Sequence, residues 1–228
     1  MKESKYKKEL VGFDIEKAYE IEEVMGMLKS QPKRKFTESV DVAVKLGIDP
    51  KKSDQNVRGS LTLPNSLGKS IVVAAFVEGD KAEEAKKAGA DIIGSDDLIE
   101  KYKDGSIDFD IAVTTPALMK TVSKLAKVLG PKGLMPNPKS GTVTENIEKA
   151  IKDLKHGQVI FKAEQQSIIQ GTIANSEMDN AQITENLNSF IAELKRLKPA
   201  STKGVYIKDI FISSTMGPGL KLNAGDYI

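Results

Sequence analysis

The sequence predicts a two-domain protein of the α/β and α+β classes. Strands near both chain ends alternate apolar with polar residues, which is typical of a half-buried antiparallel sheet. Between them, residues 71–77 are continuously apolar, and helices alternate with strands, which indicates βαβ units. We therefore expect a discontinuous α+β domain with a mainly antiparallel sheet from residues 1–66 plus 158–228. Residues 67–157 are expected to form an inserted Rossmann-like α/β domain.

Near the amino end, apolar residues at helical spacing predict a helix over residues 15–30, which Pro32 ends. Strict alternation then predicts half-buried strands over residues 36–46 and 57–63. In the longer strand, apolar residues occupy every second position from Val40 onward, so we expect this face to enter the core.

In the middle segment, residues that favour helix ends mark the predicted helices. Gly89 closes an alanine-rich helix, and Pro116 takes the first position of another. Ser95 or Asp96 can cap the helix between them. The predicted elements are, in chain order, a strand over 71–77, a helix over 81–88, a strand over 91–94, a helix from about 96 to 103, a strand over 111–114, and helices over 116–129 and 145–155.

The last part of the chain returns to alternating strands. An amphipathic pattern within it predicts a helix over residues 183–197, which Pro199 ends. The predicted strands cover 158–163, 168–173, 206–213 and 220–222.

Composition excludes several classes of protein. The 228-residue chain has a formal net charge of +2 and 39% hydrophobic residues, which is typical of a soluble globular protein. No apolar run approaches the roughly 18 residues that cross a bilayer, so no membrane partner is expected. Cysteine is absent, which excludes disulfides and thiolate metal sites. The charged start of the chain lacks the apolar region of a secretory signal, so we expect a cytoplasmic location.

Motifs for catalysis or metal binding are weak. Gly68-Lys69-Ser70 resembles the end of a phosphate-binding loop, but a strand follows it where that loop requires a helix. The one histidine, His156, has no acid pair beside it, and helix capping explains Asp96-Asp97. We therefore predict no enzyme, no catalytic residue, no metal site and no cofactor.

One place in the sequence could hold a small ligand. Thr114-Thr115-Pro116 follows a predicted strand, and ligands of open α/β sheets bind beyond the carboxyl ends of the strands. The alternative function is therefore a small-molecule-binding α/β protein, although helix capping explains the same threonines.

Two loops and one basic stretch are the remaining features of the sequence that could indicate a binding function. Residues 130–139 contain three prolines and two glycines, which fixes a rigid loop. Residues 213–219 combine hydroxyl side chains, Met216 and a Gly-Pro-Gly turn. They could contact RNA at 2′-hydroxyl or phosphate groups, or form an ordinary hairpin turn. Residues 111–144 hold five lysines and no acid, as a phosphate-binding patch or a solvated surface would.

The two loops also carry a family resemblance. Residues 128–139, followed by Gly141-Thr142-Val143, closely resemble the signature of the L-one family of ribosomal proteins. Residues 214–218 resemble the C-terminal RNA-contact loop of that family. Residues 36–40 and 46–59 agree as well, so the resemblance extends over nearly the whole chain.

The resemblance implies a structural component of the large ribosomal subunit. Such a protein binds 23S rRNA at the mobile stalk beside the tRNA exit site, assists release of deacylated tRNA, and represses translation of its own operon. The implied partners are the rRNA stalk region, exit-site tRNA and the operon's mRNA, and the implied state off the ribosome is a monomer. A translation factor that acts off the ribosome is a further interpretation, which predicts no stable co-sedimentation with large subunits.

The resemblance places the RNA contacts mainly on the discontinuous domain. The implied contact residues are Lys35, Phe36, Ser39, Lys162, Thr215, Met216 and Gly217. Three positions depart from the family pattern: Ser167 stands for a turn glycine, Asn175 for a lysine, and Asp209 for a small hydroxyl residue. Because two of these changes make the region less positive, we expect weaker RNA binding than in a typical relative. Each lost phosphate contact flattens the slope of log K against log salt by roughly 0.7 to 0.9.

Overall fold

The structure is a computed structural model, which describes residues 14, 17–31, 34–68, 70–102 and 107–227. The predicted positions Ile15, Pro32 and Lys69 lie outside the described residues. Contacts between residues divide the chain into two compact units. The first unit takes the described residues up to Leu67 and from Val159 onward, and the second is Gly68–Gln158.

The elements follow one another along both units. The strands are β1 (Ala18–Tyr19), β2 (Ser39–Leu46), β3 (Arg58–Thr62), β4 (Val73–Phe76), β5 (Ile92–Gly94), β6 (Ile111–Thr114), β7 (Gln158–Lys162), β8 (Ile168–Asn175), β9 (Ile207–Ser214) and β10 (Leu220–Leu222). The helices are α1 (Ile21–Lys29), α2 (Asp80–Ala88), α3 (Asp96–Tyr102), α4 (Met119–Val122), α5 (Ala126–Leu129), α6 (Ile147–Lys155) and α7 (Asn180–Arg196). Short 3-10 segments cover Ser53–Gln55, Ser123–Leu125, Pro138–Ser140 and Ala224–Tyr227.

The first unit is built on a sheet of five strands in the order β1-β10-β9-β2-β8. β2 pairs antiparallel with both β8 and β9, and β9 pairs antiparallel with β10. The short β1 runs parallel to β10, and β3 and β7 form a separate two-stranded sheet. The mainly antiparallel character that the sequence predicts is therefore confirmed.

The alternation in β2 divides its side chains between core and surface. Val40, Val42 and Val44 are buried, whereas Asp41 and Ala43 between them are half-buried. The same core contains apolar side chains of α7, namely Ile183, Leu187, Phe190, Ile191 and Leu194. Each large apolar side chain that leaves water contributes about 1.5–3 kcal/mol, so this core stabilises the position of β2.

The second unit is a parallel sheet with apolar layers on both faces. The strand order is β5-β4-β6, and all pairs are parallel. On one face of β4, Phe76 packs in a cluster with Tyr102 and Leu125. On the other face, Val73 packs in a cluster with Ile147. This arrangement confirms the α/β character predicted from the continuously apolar segment.

One predicted helix is interrupted. The sequence predicts a single helix over residues 116–129, but the structure has α4, a 3-10 turn and α5 there. At the break, Ser123 Oγ donates a hydrogen bond to the backbone oxygen of Met119 at 2.7 Å, and such side-chain bonds compete with regular helix geometry. Within the described residues, no helix is both long enough and apolar enough to cross a membrane.

Candidate nucleic-acid interface

The antiparallel pairing of β2 with β9 brings two loops to one end of the sheet. Val40 at the start of β2 is in register with Ser214 at the end of β9. The residues before β2 and those after β9 therefore lie side by side. The Thr215 N–H donates to the Ser39 backbone oxygen at 3.1 Å, and the Ser39 N–H donates to Thr215 Oγ1 at 2.9 Å. These bonds hold the two loops together.

A buried carboxylate, which the sequence analysis missed, also joins the loops. Glu38 is 8% exposed, and its Oε1 accepts a hydrogen bond from the Met216 N–H at 3.1 Å. The Glu38 N–H donates to Ser176 Oγ at 3.1 Å. The sequence does indicate this carboxylate, because residue 38 lies two positions before Val40 and so falls on the buried face of β2. An acidic side chain at a buried position needs a hydrogen-bond partner.

Two large apolar side chains stand exposed at this end of the sheet. Phe36 is 54% exposed and Met216 is 42% exposed. Lys35 is exposed beside Phe36, and a groove of about 660 Å³ is lined by Lys35, Phe36, Glu38 and Ser214, among others. Exposed aromatic and methionine side chains can pack on bases and riboses, and a lysine can pair with phosphate.

Gly217 closes the second loop where a side chain has no room. A Cβ atom there would lie 2.5 Å from Ser214 Oγ and 2.8 Å from Gln31 Nε2. Within the part of the chain that the structure describes, both of these buried polar atoms lack a hydrogen-bond partner. The absence of a side chain at Gly217 thus allows the loop to pack directly on them.

The structure brings six of the seven predicted contact residues together and leaves Lys162 apart. Lys162 ends β7, and a depression of about 710 Å³ is lined by it together with Arg58 and Asn56. The turn that follows Lys162 meets the far end of β2, where the Leu46 N–H donates to the Ser167 backbone oxygen at 2.8 Å. The eight residues of β2 separate the two ends by about 25 Å.

The three residues that depart from the family pattern take part in the fold. Asn175 Nδ2 donates to the Leu67 backbone oxygen at 3.0 Å. Asp209 forms an ion pair with Lys221 at 2.7 Å. Ser167 has a φ of 64°, which is unusual for a residue with a side chain, and its Oγ donates to the Ile48 backbone oxygen at 2.9 Å.

In the second unit, the segment after the proline-rich loop pairs in parallel with the last residue of β6. The Thr114 N–H donates to the Thr142 backbone oxygen at 3.0 Å, and the Thr144 N–H donates to the Thr114 backbone oxygen at 3.1 Å. Thr114 is 0% exposed. Leu134 and Met135 of the proline-rich loop pack against the unit's apolar core. Open α/β sheets bind ligands beyond the carboxyl ends of their strands, and the Thr114 side chain at the end of β6 is not accessible there.

The fold defines a class of protein: a two-unit chain with an α+β unit, in which two loops meet at one end of an antiparallel sheet, and a parallel α/β unit. The model of the Ribosomal protein L1p/L10e family matches residues 28–218 of the chain. The chain belongs to this family. It is therefore a member of a family of ribosomal proteins and not of enzymes, as the sequence predicts.

Curated relatives resemble the chain over nearly its whole length, and each bears the name Large ribosomal subunit protein uL1. The relative from Chlamydia trachomatis serovar L2b is 49% identical over 216 residues, which is 95% of this chain and 93% of the relative. That from Photobacterium profundum is 50% identical over 212 residues, or 93% and 91% of the two chains. That from Alkalilimnicola ehrlichii is 50% identical over 210 residues, or 92% and 91%.

Proposed function

We propose that this protein is a structural component of the large ribosomal subunit, in the cytoplasm, that binds 23S rRNA at the mobile stalk beside the tRNA exit site. In this proposal it also assists release of deacylated tRNA and represses translation of its own operon by binding the operon's mRNA. The names of the relatives, all large ribosomal subunit proteins, support the ribosomal assignment.

The convergence of two loops at one end of the first sheet is the observation that carries the RNA-binding proposal. Lys35 and Phe36 come from one loop, and Thr215 and Met216 from the other. Three hydrogen bonds between the loops fix their relative position before any ligand arrives. A surface that is ordered in advance loses less conformational entropy on binding. Its mixture of cations, which line the groove at Lys29, Arg34 and Lys35, with exposed apolar side chains suits folded RNA better than a charged surface alone would.

The second unit supports a further RNA contact, which we assign to exit-site tRNA. Lys120, Lys124 and Lys127 are exposed, and their spacing of four and three residues places them on one side of the α4–α5 segment. No acid interrupts residues 111–144. A row of cations without acids attracts the phosphate backbone whatever its sequence.

No observation favours the alternative of a small-molecule-binding protein. That alternative needs an accessible side chain at the carboxyl end of β6, and Thr114 there is fully buried and its backbone pairs with residues 142–144. The Thr114 hydroxyl is also engaged, since its Oγ1 donates to the Phe76 backbone oxygen at 3.1 Å.

The proposal is tested by binding of the purified protein to a stalk-type rRNA fragment and to a scrambled control across a salt series. Phe36→Ala is expected to weaken binding to the stalk fragment about fivefold or more, because aromatic stacking on a base contributes about 1–3 kcal/mol. Val205→Ala is the matched control, since Val205 is equally exposed, at 54%, and lies outside the site. Equal, weak binding of the wild-type protein to both RNAs would refute the rRNA assignment.

Two further measurements separate the other partners. Binding to the operon's mRNA leader should fall in parallel with rRNA binding for Phe36→Ala, because one site serves both RNAs. A protein in which Lys120, Lys124 and Lys127 are changed to Gln should keep its affinity for the stalk fragment and bind tRNA less tightly. An unchanged affinity for tRNA would remove the second unit from the proposal.

A further inference from the structure

Beside the two loops that precede β2 and follow β9, three hydroxyls and one carboxylate form a continuous hydrogen-bonded chain. Thr215 Oγ1 lies 3.0 Å from Ser39 Oγ, and Ser39 Oγ donates to Asp41 Oδ2 at 3.0 Å. On the other side, Thr172 Oγ1 donates to Asp41 Oδ1 at 2.6 Å. The register explains the arrangement: residues 39 and 41 share one face of β2, and Asp41 is directly opposite Thr172 on β8.

The protons of this chain can be assigned by counting donors. A carboxylate only accepts hydrogen bonds, and a hydroxyl has a single proton to donate. The Ser39 hydroxyl therefore donates its one proton to Asp41. The proton between Ser39 and Thr215 must then come from Thr215, and its other near acceptor, the Ser39 backbone oxygen at 3.4 Å, is also internal. Every hydroxyl proton at this corner of the site thus points into the protein.

What remains available to a ligand is a pair of acceptors. Each hydroxyl oxygen has two lone pairs. On Thr215 Oγ1 one of them takes the Ser39 N–H, and on Ser39 Oγ one takes the Thr215 proton. The other lone pair of each oxygen can accept from a ligand. Phosphate oxygens are acceptors as well, so they gain no hydrogen bond here and meet the negative charge of Asp41 behind the two hydroxyls.

We propose that Asp41 is a positioning residue that turns the Ser39 and Thr215 hydroxyls into acceptors, so that this corner binds an uncharged hydrogen-bond donor of RNA and not a phosphate. The inference rests on the proposed RNA-binding function and specifies which group of the RNA is recognised. Two such donors exist, the ribose 2′-hydroxyl and the amino groups of bases. Acceptance from a 2′-hydroxyl would also distinguish RNA from DNA at this position.

The test is a thermodynamic cycle between the protein and the RNA. Stalk fragments carrying single 2′-deoxy or amino-lacking base substitutions are titrated with the wild type and with Asp41→Asn. The Asn amide can donate to Ser39 Oγ, which releases the serine proton to point outward. In the wild type, one substitution should weaken binding roughly threefold to tenfold, the range of one neutral hydrogen bond. In Asp41→Asn the same substitution should weaken binding less than about twofold.

Asp209→Asn is the matched control. It removes the same charge from the same face of the sheet, but Asp209 is paired with Lys221 and has no bond to the hydroxyl chain. It should keep the full penalty of the RNA substitution. Ser39→Ala gives a second route should Asp41→Asn not fold, because it removes the middle of the chain and should abolish the same penalty.

The outcomes separate this inference from the proposed function. If the wild type does not bind the stalk fragment, the proposed function fails. In another outcome, the wild type binds the fragment while every RNA substitution lowers the affinity of Asp41→Asn and of Ser39→Ala as much as it lowers that of the wild type. In that case only the inference is overturned. A penalty confined to deoxy sugars assigns the 2′-hydroxyl, and one confined to base analogues assigns a base amino group.

Discussion

Adding one methyl group at Gly217 would force the loop that follows β9 to move. The new Cβ would lie 2.5 Å from Ser214 Oγ and 2.8 Å from Gln31 Nε2. Gln31 is long and can yield, but Ser214 is short, so its side chain must rotate or the backbone of the loop must shift to relieve the contact. Overpacking of this kind costs about 1–3 kcal/mol. We therefore expect Gly217→Ala to lower the free energy of unfolding of the first unit by that amount and to displace the neighbouring Met216, which we propose contacts RNA.

Gly219→Ala is the control for this prediction. A Cβ at residue 219 would meet nothing within 4 Å, so the change in stability should stay within about 0.5 kcal/mol. A two-unit chain need not unfold in one step, so stability is best measured by native-state hydrogen exchange of the amides in β2 and β9. RNA affinity is measured on the same proteins. Equal effects of the two substitutions on stability and affinity would refute the steric argument.

Three further changes test the packing of the first unit. Ser167→Ala should be less stable than Ser167→Gly by about 1 kcal/mol in urea unfolding, because both lose the bond to Ile48 and only alanine keeps the strain of a positive φ. Burial raises the pKa of Tyr206 to about 12. The tyrosine of the unfolded chain ionises near pH 10, so stability should fall between about pH 10 and 12 as pH rises, and Tyr206→Phe should remove part of that loss in thermal melts. Asn186 is fully buried and bonds to Asn65 and to the Ile173 backbone oxygen, so Asn186→Leu should lower the denaturation midpoint and cost about 3 kcal/mol or more, since several buried polar groups lose their partners.

The alternation of β2 was predictable because one periodic signal sets the burial of the whole strand. Val40, Val42 and Val44 were expected inside and are inside. The helix over residues 116–129 was predicted wrongly as continuous, since apolar spacing does not register the competing bond of the Ser123 hydroxyl. The helix over residues 15–30 was predicted to begin too early, because Ala18–Tyr19 form the strand β1 and α1 begins at Ile21. The two residues of β1 are defined by their pairing with a strand from the other end of the chain, which apolar spacing does not register.

The candidate site was predictable as a set of residues but not as an arrangement. Family resemblance supplied Phe36 and Met216, and the exposure of both is consistent with a contact role. The bond from Glu38 to the Met216 N–H spans 178 positions of the sequence, so only the register of β2 with β9 reveals it. The pairing of β2 with β8 places the turn after Lys162 at the opposite end of β2, because Lys45 is in register with Ile168, and no local pattern could indicate that position.

The expectation of weakened RNA binding stays a prediction, but the structure separates the two residues on which it depends. Asn175 is in register with Ser39 at the site end of β2, whereas Asp209 is in register with Lys45 near the other end. Six residues of β2 correspond to about 20 Å, and charges are screened over about 8 Å at physiological salt. Asp209 is moreover paired with Lys221.

A positive charge introduced at residue 175 should therefore change the salt dependence of RNA binding. Removal of the negative charge at residue 209 should not change it. Asn175→Lys is expected to steepen the slope of log K against log salt by roughly 0.7 to 0.9, the value of one phosphate contact. Asp209→Ser should leave the slope nearly unchanged. If Asp209→Ser steepens the slope as much as Asn175→Lys does, the RNA must extend along the whole sheet as far as Lys45, and Lys162 would then lie within reach of the same ligand.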